Sequence, residues 1–580
     1  MSKMELNMSD LISPATKRNW ERLNYSADTK LHSRANKKLS KKFVVPLEYL
    51  SNQQNKDCIC ELINYIHKFN YRIEDVLYTL SVNLLMEYNL AEQPYVKKVL
   101  SQYSDYNIIK DLLNVKLPTD ENDILGVVYQ SILSEGERNT SGIYYTAHNV
   151  AVNMTKELDF SQGQLFLDPC CGSGAFLLAL NAVEPYQIIG FDKDPIAVML
   201  AKVNLMIKYR KFKFIPQIYC LNFLNNNQRL LNKFNYIVTN PPWGVDSNVQ
   251  SNSDVIVRGE SFSLFFQKAY DCLLEGGIVR FLFPEAILNV KAHKNIREYM
   301  LKNGDLRQIT YYPDIFSGVT TKIIDILQIK TKQTANVRIY KGNEIYSTPK
   351  TSFLQTTNCV FNILDNQDIE IIEKVKKISK YNLKDSIWAL GIVTGDNKTK
   401  LKKNPEFGFE KIYSGKEIIP YKINPARNYI LYDRTQLQQV AKDEYYRAKE
   451  KLVYKFISNK LVFAYDNTSS LFLNSANILI PKIPGMSIKS VLGFLNSELY
   501  QYLYISLFGE VKILKGNLIE LPFPKLTSET DKILSEYVQH VIDGEEEFIS
   551  KIQSQIYQLF DITGSQQIYI KEKINGTFNK

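Results

Sequence analysis

At 580 residues the chain is longer than one ordinary domain, and roughly 150 residues per domain suggests about two to four. Its 45% hydrophobic and 12% aromatic residues exclude a disordered polymer, and seven cysteines and five histidines scattered without metal-ligand spacing exclude a zinc or disulfide scaffold. The 71 Lys and Arg against 61 Asp and Glu give a net charge of +10; with 37 tyrosines this suits a polyanion with stackable bases, although an A/T-rich coding sequence yields the same composition. Residues 1–45 are polar and basic, with Lys17-Arg18, Lys37-Lys38 and Lys41-Lys42 among Ser and Asn, and read as a loosely ordered arm, either solvated or touching DNA. Over 46–135 apolar residues recur at helical spacing, as in Cys60, Leu62, Ile63, Ile66 and then Val76, Leu77, Leu80, which predicts a helical region whose last helix begins at Asp123.

Residues 136–332 alternate strand and helix. Strands are predicted at 164–167, 186–191, 217–220, 234–238, 277–284, 306–312 and 321–329, with helices from the glycine loop to Asn181 and at 195–208, 261–274 and 293–301. The alternation predicts an α/β fold, a doubly wound Rossmann-like sheet with ligands at the carboxyl ends of its strands. The segment Gly244 to Gly259, rich in Ser, Asn and Asp, reads as a loop that orders on substrate. Residues 333–580 change to short β-like runs broken by Asn, Gly and Lys with helices between them, an α+β domain closed by a last helix around Glu545 to Phe560.

Two constellations carry chemistry. The first, Asp168-Pro169-Cys170-Cys171-Gly172-Ser173-Gly174-Ala175-Phe176, follows a strand and opens a helix, so backbone can come close to a ligand at a positive helix terminus. It lacks the G-x-G-x-x-G and G-x-x-x-x-G-K-[ST] fingerprints, and a nucleoside without phosphate, carrying a cationic sulfonium beside Asp168, fits it better. Asp192, at the end of the next strand, is placed to take both ribose hydroxyls; the plain alternative for both acids is a solvated strand end. The second constellation, Asn240-Pro241-Pro242-Trp243, sits where a buried strand gives out into a loop. An exocyclic amino group conjugated to a ring is a poor nucleophile until two acceptors pull its hydrogens out of the ring plane. The Asn240 side-chain carbonyl and the Pro241 backbone carbonyl suit that task, because consecutive prolines fix φ and remove competing donors. Trp243 offers a flat face for a base, although a rigid Asn-Pro turn with a half-buried Trp is the bland reading of the same four residues.

In this order the motifs resemble the S-adenosylmethionine-dependent DNA adenine-N6 methyltransferases of the gamma arrangement, the TaqI-like and Eco57I-like group. Gly142-Ile143-Tyr144-Tyr145-Thr146 is similar to the family's upstream cofactor motif, which implies cofactor contacts for Tyr145 and Thr146. The resemblance likewise implies cofactor contacts for Asp168, Pro169, Cys170, Gly172, Gly174, Phe176 and Asp192, and catalysis by Asn240, Pro241, Pro242 and Trp243. Phe316 is similar to the aromatic that packs on the other face of the flipped adenine. Asn222, followed by Phe223, stands where the family has an Asp that bonds the cofactor's adenine amino group; its amide can accept that bond without the charge. Ala147 stands where the family has Pro. Segments 391–397, 413–421, 492–497 and 521–524 resemble parts of the family's target-recognition domains.

The function implied is site-specific methylation of adenine N6 in double-stranded DNA, using S-adenosylmethionine, within a restriction-modification or related defence system. A separate restriction endonuclease or defence subunit is the implied protein partner. Methylation of RNA or of a protein glutamine, and a DNA-binding specificity or assembly subunit with a vestigial fold, are the competing readings; Asn222 favours the last. No secretory leader and no apolar run of about eighteen residues is present, so a cytoplasmic bacterial protein without membrane partner or bound metal is expected.

Overall fold

The computed structural model describes residues 43, 45–46, 49–134, 146–181, 184–225, 230–243, 261–312, 322–508 and 513–578. These fall into two compact units divided between Thr351 and Ser352.

The first unit holds a nine-stranded sheet. Its strands are β1 (Phe166–Asp168), β2 (Ile188–Asp192), β3 (Gln217–Cys220), β4 (Phe234–Thr239), β5 (Leu273–Pro284), β6 (Asp305–Tyr312), β7 (Ile323–Ile329), β8 (Asn336–Lys341) and β9 (Glu344–Pro349). They lie in the order β3-β2-β1-β4-β5-β7-β6-β8-β9. The first five neighbours run parallel, and runs such as Ile188-Ile189-Gly190-Phe191 are buried throughout because helices cover both faces. Chain order reverses at β1, with β2 and β3 on one side and β4 and β5 on the other. The carboxyl ends of β1 and β4 therefore flank the crevice in which open α/β sheets bind ligands.

Beyond β5 the sheet departs from the doubly wound expectation. β7 runs antiparallel to both β5 and β6. A parallel crossover needs roughly a dozen residues or more, and the chain between Tyr312 and Ile323 is too short for one. β8 then pairs parallel with β6 and antiparallel with β9, so one continuous sheet extends to Pro349. The N-terminal helices Gln53–Phe69, Ile73–Glu87 and Ile124–Ile132 share a core with the helix Pro195–Lys208: Ile59, Ile63, Val76, Leu77 and Leu80 pack with Met199, Leu200 and Val203. At roughly 1.5–3 kcal/mol for each large apolar side chain fully buried, that seam fixes the helical region to the sheet layer.

The second unit is α+β. One four-stranded sheet joins Ile387–Ala389, Ala476–Ile480, Lys451–Lys455 and Phe463–Asp466; another joins Leu401–Lys402, Asn428–Leu431, Phe409–Tyr413 and Leu471–Phe472. Helices Ile488–Leu495, Glu498–Phe508, Ser528–Asp543 and Phe548–Leu559 build a separate apolar core. The helix expected to be last is followed by another, Gly564–Phe578. Thr563 and Gln566 cap its start reciprocally, the Gln566 N–H donating to Thr563 Oγ1 (3.3 Å) and the Thr563 N–H to Gln566 Oε1 (3.1 Å). No helix among the described residues is long and apolar enough to cross a membrane.

Candidate active site

β1 ends on Asp168, a fully buried carboxyl. Its Oδ1 accepts the Cys170 N–H (3.1 Å) and the hydroxyl of Thr239 (2.6 Å), the last residue of β4, while Oδ2 has no hydrogen-bond partner among the described residues. Burial pushes its pKa to about 7, with Asp192 adding to the rise and the two hydrogen bonds opposing it. A buried carboxylate with one bare oxygen is costly unless a cation meets it.

The loop behind Asp168 is shaped by Gly172 (φ 53°) and Gly174 (φ 102°), both left-handed. The Gly172 N–H donates to Asp192 Oδ2 (2.9 Å) and the Cys171 N–H to the Phe191 carbonyl (2.9 Å), drawing the loop over the ends of β1 and β2. The fit is close: a Cβ on Gly190 would lie 3.1 Å from Cys171 Sγ. Pro169 is buried, Cys170 half-buried, and Phe176 roots the short helix Ala175–Ala179 in the core. Asp192 closes β2, its other oxygen accepting the Asp194 N–H (3.0 Å), and burial raises its pKa.

β4 runs directly into Asn240-Pro241-Pro242-Trp243. The Asn240 Nδ2 donates to Thr146 Oγ1 (3.3 Å), which brings the upstream motif against this one. The Pro242 carbonyl accepts the Ser261 hydroxyl, and Trp243 packs, half-buried, on a core that includes Val150, Met154 and Val238. One end of the sheet thus gathers Thr146, Asp168, the glycine loop, Asp192 and the Asn240 motif. After β3, Asn222 is exposed and its Oδ1 accepts the Leu224 N–H (3.0 Å), while Phe223 is buried, stacked on Phe265 and tilted against Phe191. Tyr145, Phe316 and the loop from Gly244 to Gly259 lie outside the described residues.

Sequence reasoning treated Asp123 only as a helix start. It is the half-buried anchor of the glycine loop: Oδ1 accepts the Gly126 N–H (3.0 Å) and Asn204 Nδ2 (2.8 Å), and Oδ2 accepts the Ser173 hydroxyl. Burial pushes its pKa to about 6. A signal existed in Gly126, since glycine inside a helix costs roughly 1 kcal/mol against Ala and implies a packing reason. A Cβ there would sit 2.3 Å from Ser173 Oγ. A cavity of about 320 Å³ adjoins this corner, lined in part by Asp123, Thr146, His148, Asn149 and Ala175.

A second buried network holds the other flank. Arg280 of β5 makes two bonds to Asp325 of β7 (2.8 and 3.0 Å) and donates to the carbonyls of Asn153 and Met154 (3.1 and 3.3 Å). Tyr312 donates to Asp325 Oδ2 (2.7 Å) and accepts from Asn153 Nδ2 (2.9 Å). The helix His148–Thr155, which begins two residues after Thr146, is thereby pinned to the sheet.

With this geometry in place, two families match the chain: N-6 DNA Methylase over residues 120–387 and the TaqI-like C-terminal specificity domain over 410–523. The type II methyltransferase M.VspI of Vibrio sp. (strain 343) is 27% identical over 337 residues, covering 55% of this chain and 82% of that protein. The type I restriction enzyme MjaIX methylase subunit of Methanocaldococcus jannaschii is 25% identical over 328 residues, covering 53% of this chain and 55% of the subunit. Among solved structures, the type IIL restriction-modification enzyme MmeI in complex with DNA shares the fold with a TM-score of 0.58 at 13% identity, over 81% of this chain and 83% of that one.

Proposed function

Since the chain carries an N-6 DNA methylase domain and a TaqI-like specificity domain and is by family a DNA methyltransferase, we propose adenine N6 as the nitrogen it methylates and S-adenosylmethionine as the donor. The observation that carries this reading is Asn240 held by Thr146 at the end of β4, one residue from the Thr239 that bonds the buried Asp168.

The residues fit the donor. Asp168 Oδ2 is a buried acceptor without a hydrogen-bond partner among the described residues, the glycine loop lacks a phosphate fingerprint, and Asp192 stands at the next strand end for the ribose hydroxyls. When bound, S-adenosylmethionine supplies a methyl group on a sulfonium. Asn240 Oδ1 and the Pro241 carbonyl accept the two amino hydrogens and draw the nitrogen lone pair out of conjugation. Donation from Nδ2 to Thr146 sets which face of the amide accepts, and the prolines hold the second carbonyl before substrate arrives. Trp243, with Phe316 opposite, stacks the flipped base and offsets part of the few kcal/mol that unstacking costs. A dedicated base is unnecessary, because the nitrogen becomes acidic on methylation and loses its proton to water.

On this reading the sheet unit carries the chemistry, from residue 136 past the expected boundary at 332 to Thr351, residues 352–580 read the DNA site, 46–135 brace the cofactor loop through Asp123, and 1–45 supply positive charge. The enzyme works on duplex DNA in a bacterial cytoplasm, with a restriction endonuclease or another defence subunit as its protein partner. Asn222 in place of an Asp favours a second reading, a specificity subunit with an inactive fold; calorimetric titration with S-adenosylmethionine decides it, since an inactive fold gives no heat. The direct test is nucleoside mass spectrometry of plasmid DNA treated with protein and cofactor. N6-methyl-2′-deoxyadenosine is expected; methylated cytosine alone, or methyl incorporation only into RNA or protein, overturns the assignment.

A further inference from the structure

The second unit carries a groove of about 610 Å³ formed where three segments meet: Ser414 to Glu417, Arg427-Asn428 and Leu473 to Ser475. They adjoin the strand ends of one sheet, in which Phe409–Tyr413 pairs with Asn428–Leu431 on one side and Leu471–Phe472 on the other. The floor is close-packed: the Gly415 N–H donates to Ser475 Oγ (2.9 Å), and a Cβ on Gly415 would lie 2.7 Å from the Ser475 carbonyl. The lining is one-sided in charge. Lys403, Lys416, Arg427 and Lys455 face a single carboxylate, Glu417.

That carboxylate is placed with care. Glu417 is 2% exposed, its Oε2 accepts both the Ser414 N–H and hydroxyl (2.7 Å each), and its Oε1 lies 3.7 Å from Arg427 Nε. Arg427 itself keeps 71% of its side chain exposed. A buried acid beside a cation weakens that cation's pull on a phosphate, so it does not serve a simple phosphate contact. What it adds is a bias: at 3.7 Å from Nε, Glu417 Oε1 draws that edge of the guanidinium towards itself, and the exposed side chain lines the groove. A planar fork matches two acceptors side by side, as on the O6 and N7 edge of guanine. The lysines are hydrated point charges suited to phosphates of any sequence.

Resting on the DNA-methylation reading above, we infer that this groove seats duplex DNA, with Lys403, Lys416 and Lys455 on backbone phosphates and Arg427 reading a guanine. The recognised sequence then contains a guanine that Arg427 specifies.

The test compares Arg427→Ala and Lys416→Ala with the parental protein by long-read sequencing of methylated DNA and by duplex binding against salt. Both side chains are exposed, and unchanged melting temperatures confirm that the variants fold. Arg427→Ala is expected to relax one guanine of the motif to other bases, a discrimination of about 10- to 100-fold falling towards one. Lys416→Ala is expected to keep the motif, bind more weakly to all sequences and lower the salt slope by about one. A parental motif with unchanged discrimination in Arg427→Ala overturns the inference. If the parental protein methylates no DNA, the methylation reading fails, while the groove is still judged by binding: weaker duplex binding by both variants sustains it and unchanged binding by both overturns it.

Discussion

Replacing Asp168 with Asn separates what this side chain does for the fold from its proposed role at the cofactor. The amide is nearly isosteric and its oxygen can keep the bonds from Cys170 N–H and the Thr239 hydroxyl. The oxygen that has no hydrogen-bond partner among the described residues becomes an uncharged NH2. A carboxyl whose pKa rises from 3.8 to about 7 on burial costs about 4 kcal/mol more to ionise in the folded protein than in the unfolded chain. The native state therefore binds more protons than the unfolded state between about pH 4 and 7, and parental stability falls as pH rises through that window. Asp168→Asn lacks this term, so the two proteins should be alike near pH 4. At pH 8, without cofactor, the variant should be the more stable by up to about 4 kcal/mol, a rise of several degrees in melting temperature for a unit of this size. S-adenosylmethionine should then raise the melting temperature of the parental protein and not of the variant, because only the carboxylate answers its positive charge. The reasoning is refuted if the variant melts lower at pH 8 without cofactor, or if cofactor protects both proteins equally.

Cofactor affinity of the parental protein should weaken as pH falls through about 7, where Asp168 takes up its proton; titration calorimetry in buffers of different ionisation heat should show proton release on binding at pH 7. Asn240→Ala should abolish methyl transfer in a tritium-incorporation assay while leaving cofactor protection against melting intact, and transfer at near the parental rate would remove Asn240 from the acceptor role. Asn222→Asp should tighten cofactor binding about five-fold, since a charge-assisted hydrogen bond is roughly twice as strong as a neutral one; equal or weaker binding would place Asn222 away from the cofactor. Asp325→Ala leaves Arg280 buried without its carboxylate and should destabilise the first unit by about 3–5 kcal/mol in denaturant titration, whereas a loss under 1 kcal/mol would mean the network is not needed to pin the helix after Thr146.

The sequence made the catalytic half legible because each motif there is also a local structural event. The helix Pro195–Lys208 lies where its apolar spacing placed it, and Asp168, Asp192 and Asn240 each stand where a buried apolar run ends. What escaped were effects of contacts distant in sequence. Nothing near Asp123 reveals that its partners are Ser173 and Asn204, and the reversal of β7 follows from a connection length that periodicity does not weigh. Gly564–Phe578 was missed because its polar, Gly-containing sequence has little apolar periodicity, although the Thr563-x-x-Gln566 cap was there to be read. Arg427 carries no motif; the role proposed for it rests on its place in the groove, 3.7 Å from Glu417, which only the fold brings about.

The most direct measurement is long-read sequencing of DNA from cells expressing the parental protein and, in parallel, Asn240→Ala, scored for modified bases. The account predicts N6-methyladenine at a single sequence motif with the parental protein and none with the variant. Unmodified adenine in both, from protein shown by calorimetry to bind S-adenosylmethionine, would contradict it.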